Sequence, residues 1–302
     1  MPPHARALDR AGLRRQPLPA LERDTDKEAR GHVLVAGGSR LTPGAALLAA
    51  HAALRGGAGK LTMAVPAAVA LPLALHMPEA KVVALPETRA GRLASGAISS
   101  LEPLFERFSG AVLGPGMPED GGTGAFTRAV LRALREIPVV LDAAAMHCLP
   151  GHKAFGQPLL ITPHAGEMAA LLGRSKEEIQ ARPAQAALEA ARRWNLTVAL
   201  KGGTSWIAGP AGELWRHVGN LPGLATSGSG DVLAGLAAGL AARGASCLQA
   251  ACWAVLAHAR AGHALERRYG IAGYLARELT GEIPAAISAL EGRALKRRPV
   301  SR

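Results

Sequence analysis

Residues 32–66 read "HVLVAGGSRLTPGAALLAAHAALRGGAGKLTMAVP", and the pattern changes twice within them. His32–Ala36 is a short apolar run that stops on Gly37 and Gly38, as a buried strand does when it meets a turn. Pro43 near one end and Gly56–Gly57 at the other bracket a helix. "KLTMAVP" at 60–66 is strand-like again. The unit is strand, helix, strand.

The alternation continues along the chain. "KVVALP" (81–86), "GAVLGPG" (110–116), "PVVLDAAA" (138–145), "PLLITPH" (158–164) and "LTVALKGG" (196–203) are strand-like. "ISSLEPLFERF" (98–108) reads as helix, and "GAFTRAVLRALREI" (124–137) as an amphipathic helix. "SKEEIQARPAQAALEAARRW" (175–194) is helical with a break before Pro183. "TSWIAG" and "ELWRHV" suit a hairpin across Gly209–Gly212, and from Val232 to about Leu290 the chain is nearly all helix. Strands alternating with helices predict an α/β fold, a mostly parallel sheet with helices on both faces. Ligands of such sheets sit beyond the carboxyl ends of the strands. Gly37–Gly38, Gly114–Gly116, Asp142, Thr162–His164 and Lys201–Gly203 should therefore share one rim. No linker interrupts the pattern, so residues 31–291 are expected to form a single domain. Residues 1–30, charged and proline-punctuated, are expected as an N-terminal extension that wraps the surface or frays, and 292–302 as a basic tail.

With 302 residues the chain can bury a full core. The formal charge of +12 could steer anionic ligands, but aromatic–basic interleaving and finger-type spacings are missing, so nucleic acid is not the expected partner. Cys148, Cys247 and Cys252 are an odd set without metal spacing and suit reduced thiols in the cytoplasm. The N-terminus lacks an apolar signal core. The longest apolar stretch, "TMAVPAAVALPLALH", is too short and proline-rich to span a bilayer. "RGGAGKLT" is not a P-loop, because Leu61 and Leu54 stand where that motif needs a hydroxyl and a glycine. "HARAGH" at 258–263 lies in an apolar helix and reads as core or surface, not as a metal site.

"ATSGSGDVLAG" (225–235) carries the chemistry. Gly228 and Gly230 let amides turn into one concavity, and the helix behind adds its unpaired N–H groups and positive dipole end. A carboxylate at Asp231 repels an anion. It suits a general base that takes a proton from a hydroxyl while the amides of Gly228–Gly230 hold phosphate. It equally suits a plain helix cap, and this segment alone leaves both open.

Five segments taken in order, "GGSRLTPGAALLAAHAALRGGAGKLT", "GPG" at 114–116, "ITPHAGEM", "KGGTS" at 201–205 and "ATSGSGDVLAG", resemble the ADP/ATP-dependent NAD(P)H-hydrate dehydratase family, whose fold is ribokinase-like. The likeness covers about residues 20–290, without the epimerase domain fused to some members. It implies the nucleotide-dependent dehydration of NADHX and NADPHX to NADH and NADPH. By that resemblance Asp231 is the base and contacts substrate, as do Ala45, Gly116 and His164. Lys201, Gly202, Gly203, Thr204, Ser205, Gly228 and Gly230 contact ADP or ATP. Mg2+ is the implied cofactor, with its ligands unassigned, and Glu167 is either a helix cap or a magnesium neighbour. The resemblance also implies a homo-tetramer.

Three positions depart from the family pattern. Ala165 replaces a proline, Ala144 an acid and Ser227 a glycine, in a loop one residue longer than usual. Two other functions use the same residues: a small-molecule kinase of this fold, and a non-catalytic nucleotide- or nucleic-acid-binding protein.

Overall fold

The computed structural model describes residues 5–21, 24–89, 91, 93–94, 96–152 and 155–292. The chain runs through β1 (Arg6–Ala7), α1 (Arg10–Leu13), β2 (His32–Ala36), α2 (Pro43–Arg55), β3 (Lys60–Pro66), α3 (Ala67–His76), β4 (Ala80–Leu85) and β5 (Gly110–Leu113). It continues through α4 (Gly121–Ala133), β6 (Val139–Leu141), β7 (Leu159–Ile161), α5 (Ala165–Leu172), α6 (Lys176–Ala181) and α7 (Pro183–Trp194). β8 (Thr197–Leu200), β9 (Thr204–Ala208), β10 (Leu214–Val218), α8 (Ser229–Ala242), α9 (Cys247–Tyr269) and α10 (Ala276–Glu291) complete it.

The described strands form one sheet in the order β1-β10-β9-β8-β7-β6-β5-β2-β3-β4. β2 to β8 run parallel, and β9 is antiparallel to both β8 and β10, which is the expected hairpin. Side chains alternate between two buried layers, as the strand period requires. Val33, Val35, Val112, Val140 and Leu160 pack under α2, α8, α9 and α10. Leu34, Ala36, Leu113, Leu141 and Ile161 pack under α4 to α7. After β4 the chain returns to lay β5 on the other side of β2, so the strand order reverses between β2 and β5. Gly38 N–H donates to the Pro115 carbonyl at 2.6 Å and ties the two loops at this switch point.

The 98–108 segment departs from its helical expectation. It forms 3-10 turns at Ala97–Ser100 and Glu102–Arg107, with Pro103 closing off a longer helix. α3 escapes the sequence reading because Pro72 lies inside it and its apolar residues show no stripe. Part of the described chain ahead of 31 is built into the fold: β1 pairs with β10, and Leu8 and Leu13 join the core. Positions 293–302 of the basic tail lie outside the described residues.

α8 is the scaffold of the site. Nearly every residue in it is buried, and its sequence is almost entirely alanine, glycine and leucine. A Cβ on Gly235 would stand 2.1 Å from the Ala49 carbonyl oxygen, and one on Gly239 would stand 2.3 Å from that of Ala53. Only glycine lets α8 and α2 approach this closely.

Candidate active site

The carboxyl ends of β5 to β8 converge as expected. Asp142 follows β6 and is buried, although Ala143 behind it takes a left-handed φ of +47°. Such a φ costs an alanine about 1 kcal/mol and marks a backbone held by its surroundings. Thr162, after β7, donates its hydroxyl to Asp142 Oδ1 at 2.7 Å. Lys201, after β8, places Nζ 3.1 Å from the same oxygen and 3.9 Å from Glu167 Oε2.

Asp231 stands in the first turn of α8. Gly228, the residue before that helix, has a φ of +87°, which favours glycine. The amides of Gly228 and Gly230 meet no backbone acceptor among the described residues. The Ser229 amide, expected in the same cradle, instead donates to the Thr226 carbonyl at 3.2 Å. A Cβ on Gly230 would lie 3.2 Å from Lys201 Nζ, so the ammonium abuts this turn.

Burial raises the Asp231 carboxyl from 3.8 to about 7, Asp142 adds to the rise, and Lys201 opposes it. Burial alone would lower the Lys201 ammonium, but Asp142 and Glu167 outweigh it and hold Lys201 above its ordinary value. Three carboxylates around one ammonium leave surplus negative charge. No group of three His, Cys, Asp or Glu side chains among the described residues could cage a metal. That combination suits a magnesium that arrives on polyphosphate, because magnesium keeps waters and takes only one or two protein carboxylates. Asp142 and Glu167 are carboxylates beside Lys201 that could hold it.

A cavity of about 610 Å³ opens beside Lys201, lined by His164, Lys201–Thr204, Ile179, Trp206 and Arg216 among others. His164 caps α5. Its Nδ1 accepts the Glu167 amide at 3.0 Å, and Glu167 Oε2 accepts the His164 amide at 2.7 Å. In the neutral ring the proton therefore sits on Nε2, a free donor at the cavity. Glu167 is thus a cap and also a neighbour of the charged cluster.

Ala45 and Gly116 meet on the other side of the rim. Thr42 donates its hydroxyl to the Gly116 carbonyl at 2.8 Å, and a Cβ on Gly116, whose φ is +70°, would stand 2.7 Å from Ala45 Cβ. α2 also reaches the α8 loop, since Leu48 lies 2.5 Å from where a Gly228 Cβ would be. Ser205 does not line the cavity, because strand alternation turns it away from Thr204 and Trp206.

The departures are absorbed locally. Ser227 is not among the left-handed residues. Ala165 takes the first helical position of α5, where the capping box supplies what proline would otherwise pre-set. Ala144 is 2% exposed and sits in the apolar layer under α4 to α7. Asp142, Thr162 and Lys201 share the expected rim, and the direct hydrogen bonds among them go beyond that expectation. Their only sequence signal was a carboxylate, a hydroxyl and an amine, each at the end of a buried strand.

The pattern of the NAD(P)H-hydrate dehydratase family matches residues 33–285. The ADP-dependent (S)-NAD(P)H-hydrate dehydratase of Xanthomonas campestris pv. campestris is 48% identical over 290 residues, covering 95% of this chain and 98% of that protein. The ADP/ATP-dependent NAD(P)H-hydrate dehydratase from Bacillus subtilis, co-crystallized with ATP/Mg2+, superposes with a TM-score of 0.84 at 27% identity, covering 95% of this chain and 99% of that one. A ribokinase-like superfamily protein from Enterococcus faecalis gives 0.79 at 25% identity, over 95% and 96% of the two chains. With its sheet, its glycine-bounded α8 and its acid at 231, the chain belongs to the NAD(P)H-hydrate dehydratase family.

Proposed function

We propose that this chain repairs hydrated reduced nicotinamide dinucleotides, NADHX and NADPHX, with ADP or ATP as co-substrate. The observation that carries the reading is Asp231: a carboxyl raised to about 7, at the mouth of a helix where the Gly228 and Gly230 amides meet no backbone acceptor among the described residues, and near the Lys201 ammonium. Hydroxide leaves a ring carbon poorly, and phosphate leaves well. Asp231 takes the proton of the ring hydroxyl, whose oxygen then attacks the terminal phosphorus and displaces the shortened nucleotide. The amides of Gly228 and Gly230 and the Lys201 ammonium hold the transferring oxygens. The ring-nitrogen lone pair next expels phosphate, and loss of a proton from the neighbouring carbon restores the double bond. Magnesium, met by Asp142 and Glu167, would neutralise phosphate charge when bound.

Ala45 and Gly116 form the substrate side, and His164, assigned to substrate by resemblance, lines the cavity beside Lys201. Lys201–Thr204, which line the same cavity, with Gly228 and Gly230 at the α8 turn, form the nucleotide side; Ser205, outside that lining, is assigned to it by resemblance alone. The test is incubation with hydrated NADH, magnesium and either ADP or ATP. Recovery of reduced-nicotinamide absorbance with stoichiometric phosphate release supports repair. A stable phosphorylated product without that recovery makes the chain a small-molecule kinase and overturns the reading.

The assembly is read as a homo-oligomer, a tetramer by resemblance, and Leu71 and Leu75, 71% and 75% exposed on α3, are the surface that supports this. Sedimentation velocity decides it. Cys148, Cys247 and Cys252 are free and buried, which supports a cytoplasmic setting, and no helix of the described residues is long and apolar enough to cross a membrane.

A further inference from the structure

The first histidine of "HARAGH", His258, touches the N-terminal end of α8. His258 lies in mid-α9, 7% exposed, with Nε2 3.1 Å from Ser229 Oγ, and Ser229 is 5% exposed. This is the only side-chain hydrogen bond between α8 and α9 among the described residues. The rest of α8 packs through alanine, glycine and leucine, whose dispersion contacts have little directional preference. The shaft is fixed by its close approach to α2 at Gly235 and Gly239, but that packing puts no polar anchor at the N-terminal tip. At its tip Ser229 is held twice, by its amide on the Thr226 carbonyl and by its hydroxyl on His258. The amides of Gly228 and Gly230 lie on either side of this anchored residue, and Asp231 lies two positions on.

We propose that His258 is a positioning residue: through Ser229 it sets the pitch of the Gly228–Asp231 turn against Lys201, and so aligns the base with the amides that hold phosphate. The inference rests on the repair reading for its kinetic consequence but not for its geometry. The ring is neutral, because burial pushes it down to about 4 and the Lys201 charge acts the same way, against the Ser229 carbonyl. It therefore adds no charge to the phosphate site, and its effect is geometric. A misplacement of about 1 Å at a reacting centre costs on the order of 100-fold in rate.

The experiment compares Ser229→Ala, His258→Leu, His258→Gln and the Ser229→Ala/His258→Leu double variant. The expected result is a fall in kcat of about 10- to 100-fold for each removal of the bond, with KM for the nucleotide changed less than about 3-fold. Gln, which can reach Ser229 with its amide, should return kcat to within about 3-fold of the parent. The double variant should lose no more than the worse single variant. A second readout does not depend on turnover: NMR titration of the Asp231 carboxyl in the free protein should shift in Ser229→Ala and His258→Leu and return in His258→Gln. Absence of repair by the parent protein would remove the functional reading and leave this titration to judge the geometry. Unchanged kcat and an unchanged Asp231 titration in Ser229→Ala overturn the proposal, even if the leucine variant fails to fold. Losses that simply multiply in the double variant overturn it too.

Discussion

Replacing Asp231 with asparagine should abolish repair and at the same time stabilise the protein, with a pH dependence that can be worked out in advance. Burial first, and then Asp142, lifts this carboxyl from 3.8 to about 7. Between those values the native state holds a proton that the unfolded chain has released. Stability conferred by the protonated acid is therefore full below about pH 4 and is lost as pH rises towards about 7. A rise of this size is equivalent to about 4 kcal/mol. Asp231 is itself only partly buried, so water relieves part of this, and roughly 2 kcal/mol is the working figure. The carboxamide of the Asp231→Asn variant would not titrate and would escape this loss. Urea unfolding of the two proteins should give nearly equal stabilities at about pH 4, and the variant should lead by roughly 2 kcal/mol at about pH 8. Repair turnover should fall by at least about 1000-fold. Parallel stability curves across that pH range, or a variant weaker than the parent at the alkaline end, would refute the buried-base argument.

Gly235→Ala should cost about 1–3 kcal/mol in thermal or urea melts, since its methyl would meet the Ala49 carbonyl oxygen at 2.1 Å and force α2 from α8. The acid limb of kcat/KM in the parent should fall near the Asp231 value of about 7, with activity lost as pH drops through it. Lys201→Met removes the charge that opposes the Asp231 rise, so the limb should move to higher pH and KM for nucleotide should climb by about 10-fold. Ala144→Asp restores the family's usual acid at a position 2% exposed in an apolar layer. It should lower stability by about 2 kcal/mol or more with no gain in turnover, measured by melt and by phosphate release.

The parallel sheet was readable because its strands, buried on both faces, are near-continuous apolar runs that end in glycine, proline or a polar residue. Gly38, Gly114 and Gly116 all take positive φ, as their place at strand ends required. The 175–194 break fell at Pro183 for the steric reason that proline cannot continue a helix. What stayed hidden has a common cause. Asp142, Thr162 and Lys201 were expected on one rim, but their direct hydrogen bonds, across 20 and 59 residues of chain, depend on the register of three parallel strands. The segment at 98–108 carries helical composition but has Pro103 in its middle, which leaves 3-10 turns. Ser229 and His258 are 29 residues apart on two helices built mainly of small and apolar residues, so nothing in either helix alone marks the pair.

The scarcity of aromatics and the abundance of alanine and glycine, which by themselves hint only at close packing, have a direct bearing on the chemistry. A phosphate cradle made of main-chain amides is only as well placed as the helix that carries it. α8 is held on one side by the backbone of α2 at Ala49 and Ala53, a contact too short for any side chain, and on the other by α9. Bulkier residues would fill the same layer with more buried area but would hold α8 further off, moving Gly228 away from Leu48 and Gly230 away from Lys201. None of the three departures reaches this arrangement: Ser227 precedes the cradle without a left-handed φ, Ala165 begins a capped helix, and Ala144 points into the opposite layer. The ammonium of Lys201, shared between Asp142 and Glu167, then fixes the far wall. Site geometry of this kind tolerates loss of peripheral polar groups and is sensitive to a single added methyl at Gly235. That ordering of effects is opposite to what the chemical conspicuousness of the residues suggests.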